Sequence, residues 1–353
     1  QHVGGGVRQP HRGRRTGGDR TGVTATATPP RAPLDSRAQA AARARRLLLG
    51  QHVLLLIALI LLGTYFTSRL DFFLTSQNVL TILRFSAVTF IVATGFTLVL
   101  IGGGLDLSIG SGMAVVGVTA GKLFEAGVPL VLAFVIGVVV GVAIGFVNGF
   151  IVTRFRINPL IATLAMLFAL LGVAFIITDG RSTQLRDDGF RFARENVGGV
   201  PVPVFFLIAT AVLSVVLLHT TKAGRHLFAV GGNPDAARQA AMNVDRFRLG
   251  MYTVAGLYTG IAGVLLASDL GAIAPNSARN WELYVATAVF LGGASLTGGR
   301  GSVVGTFIGV VFVSALDNGL VQMAVRPQIV LIVVGTAMIL AVAFDQRPKG
   351  GFR

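Results

Sequence analysis

Runs of apolar residues long enough to cross a bilayer recur along this chain, and few folds accept that pattern. Residues 128–150 read VPLVLAFVIGVVVGVAIGFVNGF without a charge, and about 20 apolar residues suffice for a helix to span ~30 Å of hydrocarbon. No water is available there to satisfy backbone N–H and C=O groups, so each run must pair internally as a helix. Ten spans are expected, at about 47–66, 79–101, 107–121, 128–150, 158–178, 201–219, 250–268, 283–298, 302–324 and 327–344; the third and eighth are short and glycine-rich. Charged residues are 13% of the 353, roughly half the share in soluble domains. The expected class is therefore all-α, a polytopic membrane protein with glycine-interrupted helices.

The charge distribution orients it. Ten Arg against two Asp occupy the first 50 residues. Residues 1–46, rich in Gly, Arg, Thr, Pro and Ala, read as a disordered basic tail; 47–345 read as the membrane domain and 346–353 as a C-terminal tail. A net charge of +15 would suggest nucleic acid in a soluble protein, but its concentration beside the spans argues against that partner. With both termini inside, inner segments carry 21 Lys or Arg and outer segments eight, so the positive-inside rule assigns both termini and the 220–250 segment to the cytoplasm. The absence of cysteine excludes disulfides and thiol chemistry, and the five His lack ligand spacing, so no metal site is expected.

Glycines recur at helical spacing within the spans. Gly137, Gly141, Gly145 and Gly149 share one face, as do Gly301, Gly305 and Gly309. In lipid, small residues let helix backbones approach, so these faces should be helix crossings. A weak internal repeat relates LVLIGGGLDLSIGSGMAVVG at 98–117 to AVFLGGASLTGGRGSVVGTFIG at 288–309; matched glycine breaks of this kind suit transporters with discontinuous helices.

One stretch breaks the apolar pattern, TTKAGRHLFAVGGNPDAARQAAMNVDRFRLGMYTVAG at 220–256. Within Gly231-Gly232-Asn233-Pro234-Asp235, Asn233 can cap a helix, Pro234 suits its first position and Asp235 faces the positive end of its dipole. A helix is expected over about 234–242, with Ala236, Ala237, Ala240 and Ala241 forming a small, flat side on which another protein could pack and Arg238 pointing elsewhere. A plain surface connector is the other reading.

Several polar groups interrupt the spans. Asp106 and Ser108 lie among glycines, either capping a broken helix or standing on a substrate path; Asp317 and Asn318 form a second pair, and Arg84 is a further charge whose expected partner is Asp106 or Asp317. Asn276, Arg279, Asn280, Trp281, Glu282 and Tyr284 gather on the outer side, either as a sugar-binding cluster or as an interfacial aromatic belt. Energy is missing: the nearest approach to a phosphate loop, GVTAGK at 117–122, is one residue short and is followed by Leu123. No run of buried acids and His suggests a proton relay. An ATPase on another chain, or an ion gradient acting at Asp106 and Asp317, would have to drive any uptake.

From about residue 72 to 345 the sequence resembles permease subunits of bacterial ATP-binding-cassette (ABC) importers of the ribose, xylose and galactoside type. The resemblance rests on GLDLSIGS at 104–111, IATL at 161–164, TKAGR at 221–225, GGNPDAAR at 231–238 and LGGASLTGGRG at 291–301. It implies a dimer of this chain, or a pair with a similar permease, above two ATPase subunits, with a sugar-binding protein outside. The chain itself would bind no cofactor, ATP and Mg being used by the ATPase. Gly231, Gly232, Asn233, Pro234, Asp235, Ala236, Ala237 and Arg238 would form the coupling segment. Asp106, Ser108, Asn276, Trp281, Glu282, Asp317 and Asn318 are candidates for the translocation path. Two residues depart from the family: Ala241 stands where it usually has Gly, and Tyr284 where it often has Asp. Related permeases carry branched-chain amino acids or nucleosides, which remains the alternative.

Overall fold

The computed structural model describes residues 51–185 and 188–345; the tails expected over 1–46 and 346–353 lie outside them. The helices are α1 (Gln51–Arg69), α2 (Ser76–Ile101), α3 (Ile109–Glu125), α4 (Leu130–Arg154), α5 (Pro159–Ile177) and α6 (Val202–Thr220), then α7 (Lys222–Gly232), α8 (Pro234–Gln239), α9 (Val244–Leu270), α10 (Trp281–Leu291), α11 (Val303–Gln322) and α12 (Pro327–Asp345). Seven of them, α1, α2, α4, α5, α6, α9 and α11, are long and apolar enough to cross a membrane. Helices α3, α10 and α12 fall on the remaining expected spans. Proline marks many starts: Pro129 and Pro201 sit at N-caps, and Pro159 and Pro234 occupy first turns, where a fixed φ and a missing N–H cost nothing.

Two helices form the centre. All residues of α2 from Ser86 to Ile101 are buried, and α9 packs against α2, α3 and α4. Hydroxyls in α2 are satisfied locally, Thr94 donating to the Phe90 carbonyl at 2.8 Å, or across helices, Thr97 and Thr306 meeting at 2.8 Å. The glycine face of α4 is a crossing, as expected. Its partner is a glycine series in α9: a Cβ on Gly145 would lie 2.8 Å from the Gly256 Cα, and one on Gly141 2.5 Å from the Gly260 Cα. On another side of α9, Gly263 meets the Met113 carbonyl and Val116 of α3. The second glycine series is split: Gly305 and Gly309 press on Gly292 and Ala288 at the end of α10, whereas Gly301 precedes α11 and meets Ile101 and Thr97.

The internal repeat is real at the level of hydrogen bonds. After α2, the N–H groups of Gly102, Gly103 and Gly104 donate to the carbonyls of Leu98, Leu100 and Val99; after α10, those of Gly292, Gly293 and Ala294 donate to Ala288, Phe290 and Val289 in the same pattern. Gly103 at φ 75° and Gly293 at φ 93° take the left-handed turn that closes such a helix end and that glycine adopts without strain. This glycine end also shortens the eighth span, because α10 stops at Leu291 and residues 292–302 form a loop. Outside the membrane helices, a pair of two-residue strands joins Thr183–Gln184 to Ala272–Ile273, and another forms a tight hairpin at 196–201.

The α4–α9 crossing yields a direct test. Gly145→Leu should lower the stability of the purified protein by about 1–3 kcal/mol or more through overpacking, read as a loss of monodisperse protein on heating. Gly172 has nothing within 4 Å of an added Cβ, so Gly172→Leu should melt with the wild type.

Candidate functional site

The polar interruption folds as two short helices. Thr221 accepts from the Gly224 N–H at 3.1 Å and opens α7, an amphipathic helix that buries Gly224, Leu227, Val230 and Gly231. Sequence reasoning missed it, although a Thr followed by apolar residues at helical spacing is a usable signal. Asn233 then caps α8 as expected, its Oδ1 accepting from the Asp235 and Ala236 N–H groups at 3.1 and 3.0 Å. Arg238 binds Asp235 at 2.9 Å on the exposed surface.

The observed α8 is shorter than expected and oriented differently. It ends at Gln239, and Ala237 is buried against Val230 and Val244 rather than presented outward. Asn233, Asp235, Ala236, Arg238, Gln239, Ala240 and Ala241 make up the exposed side. The helix closes when the Ala241 N–H donates to the Arg238 carbonyl and the Met242 N–H to the Ala237 carbonyl, each at 3.0 Å. That geometry needs a left-handed residue, and Ala241 takes it at φ 59°. The usual glycine of the resemblance has a physical reason here.

Beneath α8, three glycine segments meet backbone to backbone. The Gly299 N–H donates to the Ile101 carbonyl at 2.8 Å, and a Cβ on Gly231 would drive into that same oxygen. Gly298 would meet Gly103, and Gly299 would meet Gly232 at 2.6 Å. The end of α2 and the loop between α10 and α11 therefore touch each other and the glycine base of α8. Beside it lies a polar cavity of about 400 Å³ bounded by Thr153, Arg156 and Asn158 of the α4–α5 turn together with Arg238, Asp245 and Arg248. IATL at 161–164 sits in the first turns of α5, which Asn158 caps by accepting from Leu160 N–H at 2.9 Å.

The candidates for the path fall into three places. Asp106 and Ser108 are closed in: Asp106 accepts from the Ser108 N–H at 2.9 Å and Oγ–H at 2.7 Å, and from the Asn148 amide at 3.3 Å, while that amide also reaches Ser108 Oγ at 2.7 Å. Asp106 is 4% exposed. Asn276 and Glu282 line a small cavity of about 40 Å³ with Gly110, Ser111, Arg279 and Asn280, walled by Leu167 and Leu171 of α5. A Cβ on Gly110 would lie 2.5 Å from Glu282 Oε2, so the loop into α10 reaches the level of the first turn of α3. Trp281 is buried and packs edge-on against Phe85 at 5.4 Å, which removes it from an exposed belt. Asp317 and Asn318 form the third place. Tyr284 donates to Asp317 at 3.2 Å, and Asn318 and Asn78 exchange amide hydrogen bonds at 3.0 Å. The Tyr that departs from the family thus faces a carboxylate. Arg84 pairs with neither expected acid; its Nε lies 3.9 Å from Asp269, and its Nη2 donates to the Arg194 carbonyl at 3.2 Å.

A helical bundle with paired glycine-broken helices and an exposed capped helix at one end fits a polytopic membrane protein. The comparisons specify which. Residues 78–342 match the family model described as branched-chain amino acid transport system / permease component. The ribose import permease protein of Bacillus subtilis is 40% identical over 278 residues, covering 78% of this chain and 86% of that protein. The Escherichia coli ribose import permease protein is 35% identical over 299 residues, 83% and 93% of the two chains, and the E. coli L-arabinose transport system permease protein 35% over 256 residues, 72% and 78%. No solved structure matches. The chain belongs to this family of ABC importer permeases, as a multi-pass membrane transport subunit.

Two substitutions check the local geometry. Ala241→Gly should slow amide hydrogen exchange across 234–244, because it relieves a left-handed alanine worth about 1 kcal/mol. Asp106→Asn sets an amide against the Asn148 amide and should cost about 1–3 kcal/mol; combining it with Asn148→Asp should recover a large part in a thermal melt.

Proposed function

We propose that this chain is the membrane-spanning subunit of an ATP-driven importer of a monosaccharide, a pentose or hexose. Two copies, or one copy and a similar permease, form one pathway in the plasma membrane. Two ATPase subunits dock on the cytoplasmic side, where they use ATP and Mg, and a sugar-binding protein delivers substrate outside. Both termini are cytoplasmic, in keeping with the positive-inside bias.

The observation that carries the reading is the coupling segment. Asn233 rigidly starts an exposed helix, and the glycine base of that helix is wedged against the two loops that end α2 and α10. A push on α8 is therefore delivered to both broken helices. By the same reading, Ala236, Arg238, Gln239 and Ala240 face a cleft in the ATPase. The sugar assignment rests on the relatives named for ribose and L-arabinose; the branched-chain amino acid wording of the family model marks the competing substrate class. Asn276, Arg279, Asn280 and Glu282 around their cavity are the polar groups best placed to meet a sugar entering from outside.

The test is an uptake assay in membranes carrying the complete importer. Asn233→Ala combined with Asp235→Arg should leave the protein in the membrane, because losing the cap costs only ~1 kcal/mol locally. Uptake should fall more than tenfold while ATP hydrolysis persists. Wild-type uptake by this variant would overturn the assignment of α8.

A further inference from the structure

An apolar cavity of about 300 Å³ lies between the ends of α2 and α6, the face of α7 and the start of α9, lined by Leu217, Leu227, Phe247, Met251 and Val254. None of the candidate site residues borders it. Its depth follows from the caps around it. Thr221 opens α7 immediately after α6 ends, and Asn243 opens α9, so the polar boundary of the membrane runs just outside the cavity. Leu217 lies about one turn inside Thr221, and Val254 about three turns inside Asn243. A hydrocarbon chain is the medium at that depth.

Two features of the wall point to a particular occupant. Gly250 lines the cavity, yet an added Cβ there would have nothing within 4 Å. The glycine is not needed for a close backbone approach, and it leaves open space beside the apolar wall. Arg246 borders the same cavity one turn earlier on α9, at the polar edge. Lys222 and Arg225 stand on the first turn of α7, next to the lining residue Ala223. No carboxylate lines the cavity; nearby Asp245 borders the separate polar cavity instead. Apolar walls with cations at the water edge match an acyl chain beneath an anionic headgroup.

We propose that this cavity is a binding site for an anionic phospholipid of the leaflet on the coupling-segment side, with one acyl chain against Gly250 and Val254 and the phosphate at Arg246. Because α7 forms one wall and leads directly into Gly231, bound lipid would brace the base of the coupling segment. The binding claim stands independently of the transport reading.

The experiment is native mass spectrometry of the purified full chain titrated with dioleoyl phosphatidylglycerol or dioleoyl phosphatidylcholine. Wild type should retain one phosphatidylglycerol at least fivefold more tightly than phosphatidylcholine. Gly250→Phe should fill the cavity and lose that retained lipid, and Val254→Trp, from the next turn, should do the same. Arg246→Gln should still take lipid but narrow the preference toward equality. Equal retention of both lipids by wild type would overturn the proposal. So would unchanged phosphatidylglycerol binding by both cavity-filling variants, or loss of dimer without loss of lipid, which would assign the cavity to a second copy. Lipid binding by the purified chain, with wild-type uptake retained in the complete importer by the Asn233→Ala, Asp235→Arg variant, would count against the importer reading alone.

Discussion

The Ile101 carbonyl holds this structure together at its working end. It accepts from Gly299 at 2.8 Å, and the Cα of Gly231 sits so close that no side chain fits between them. Three segments far apart in sequence share this point: the end of α2, the loop before α11 and the end of α7. Glycine is a requirement of the contact at Gly231 and Gly299, since a Cβ at either would displace backbone rather than a flexible side chain, while α2 contributes the Ile101 carbonyl itself. The segment proposed for coupling is thereby seated on both members of the internal repeat. Its position and theirs cannot change independently.

The rest of the membrane domain follows from lipid as the solvent. Apolar burial gives helices in hydrocarbon little reason to associate, and here small residues supply the contacts, with α9 meeting α2, α3 and α4 largely through Gly, Ala and Tyr backbone approaches. Three sequence-distant sets of polar groups at depth are hydrogen-bonded: Asp106 with Ser108 and Asn148, Ser214 with Tyr258 at 2.7 Å, Asp317 with Tyr284. The Asp106 set is enclosed and pins the broken start of α3 onto α4. The cavity at Asn276 and Glu282 is open between helices, and α5, which walls it, presents a largely exposed apolar surface.

The sequence made the helices legible because each is a local object, set by apolar length, proline starts and glycine ends. The Asn233 cap and the glycine face of α4 were legible for the same reason. Partners were not. Nothing in the spacing of α4 points to Gly256 and Gly260 in α9, and Arg84, with Asp106 or Asp317 as its expected partner, meets Asp269 instead. For Trp281 the sequence leaves a sugar-binding cluster and an interfacial belt both open, because it does not reveal that the start of α10 packs inward on Phe85. Ala237 looked like part of an outward face until α7, itself overlooked, supplied Val230 to cover it. The glycine usual at position 241 acquired its explanation only with the backbone angle.

The central claim is that movement of the coupling helix reaches the broken helices through the Gly231 contact. Uptake measured side by side for Gly231→Ala and Gly232→Ala in the complete importer tests it most directly, because an added Cβ strikes the Ile101 carbonyl at the first position and meets nothing within 4 Å at the second. Membrane levels alike, with uptake reduced more than tenfold for Gly231→Ala and unchanged for Gly232→Ala, is the predicted result. Wild-type uptake by Gly231→Ala would contradict the account.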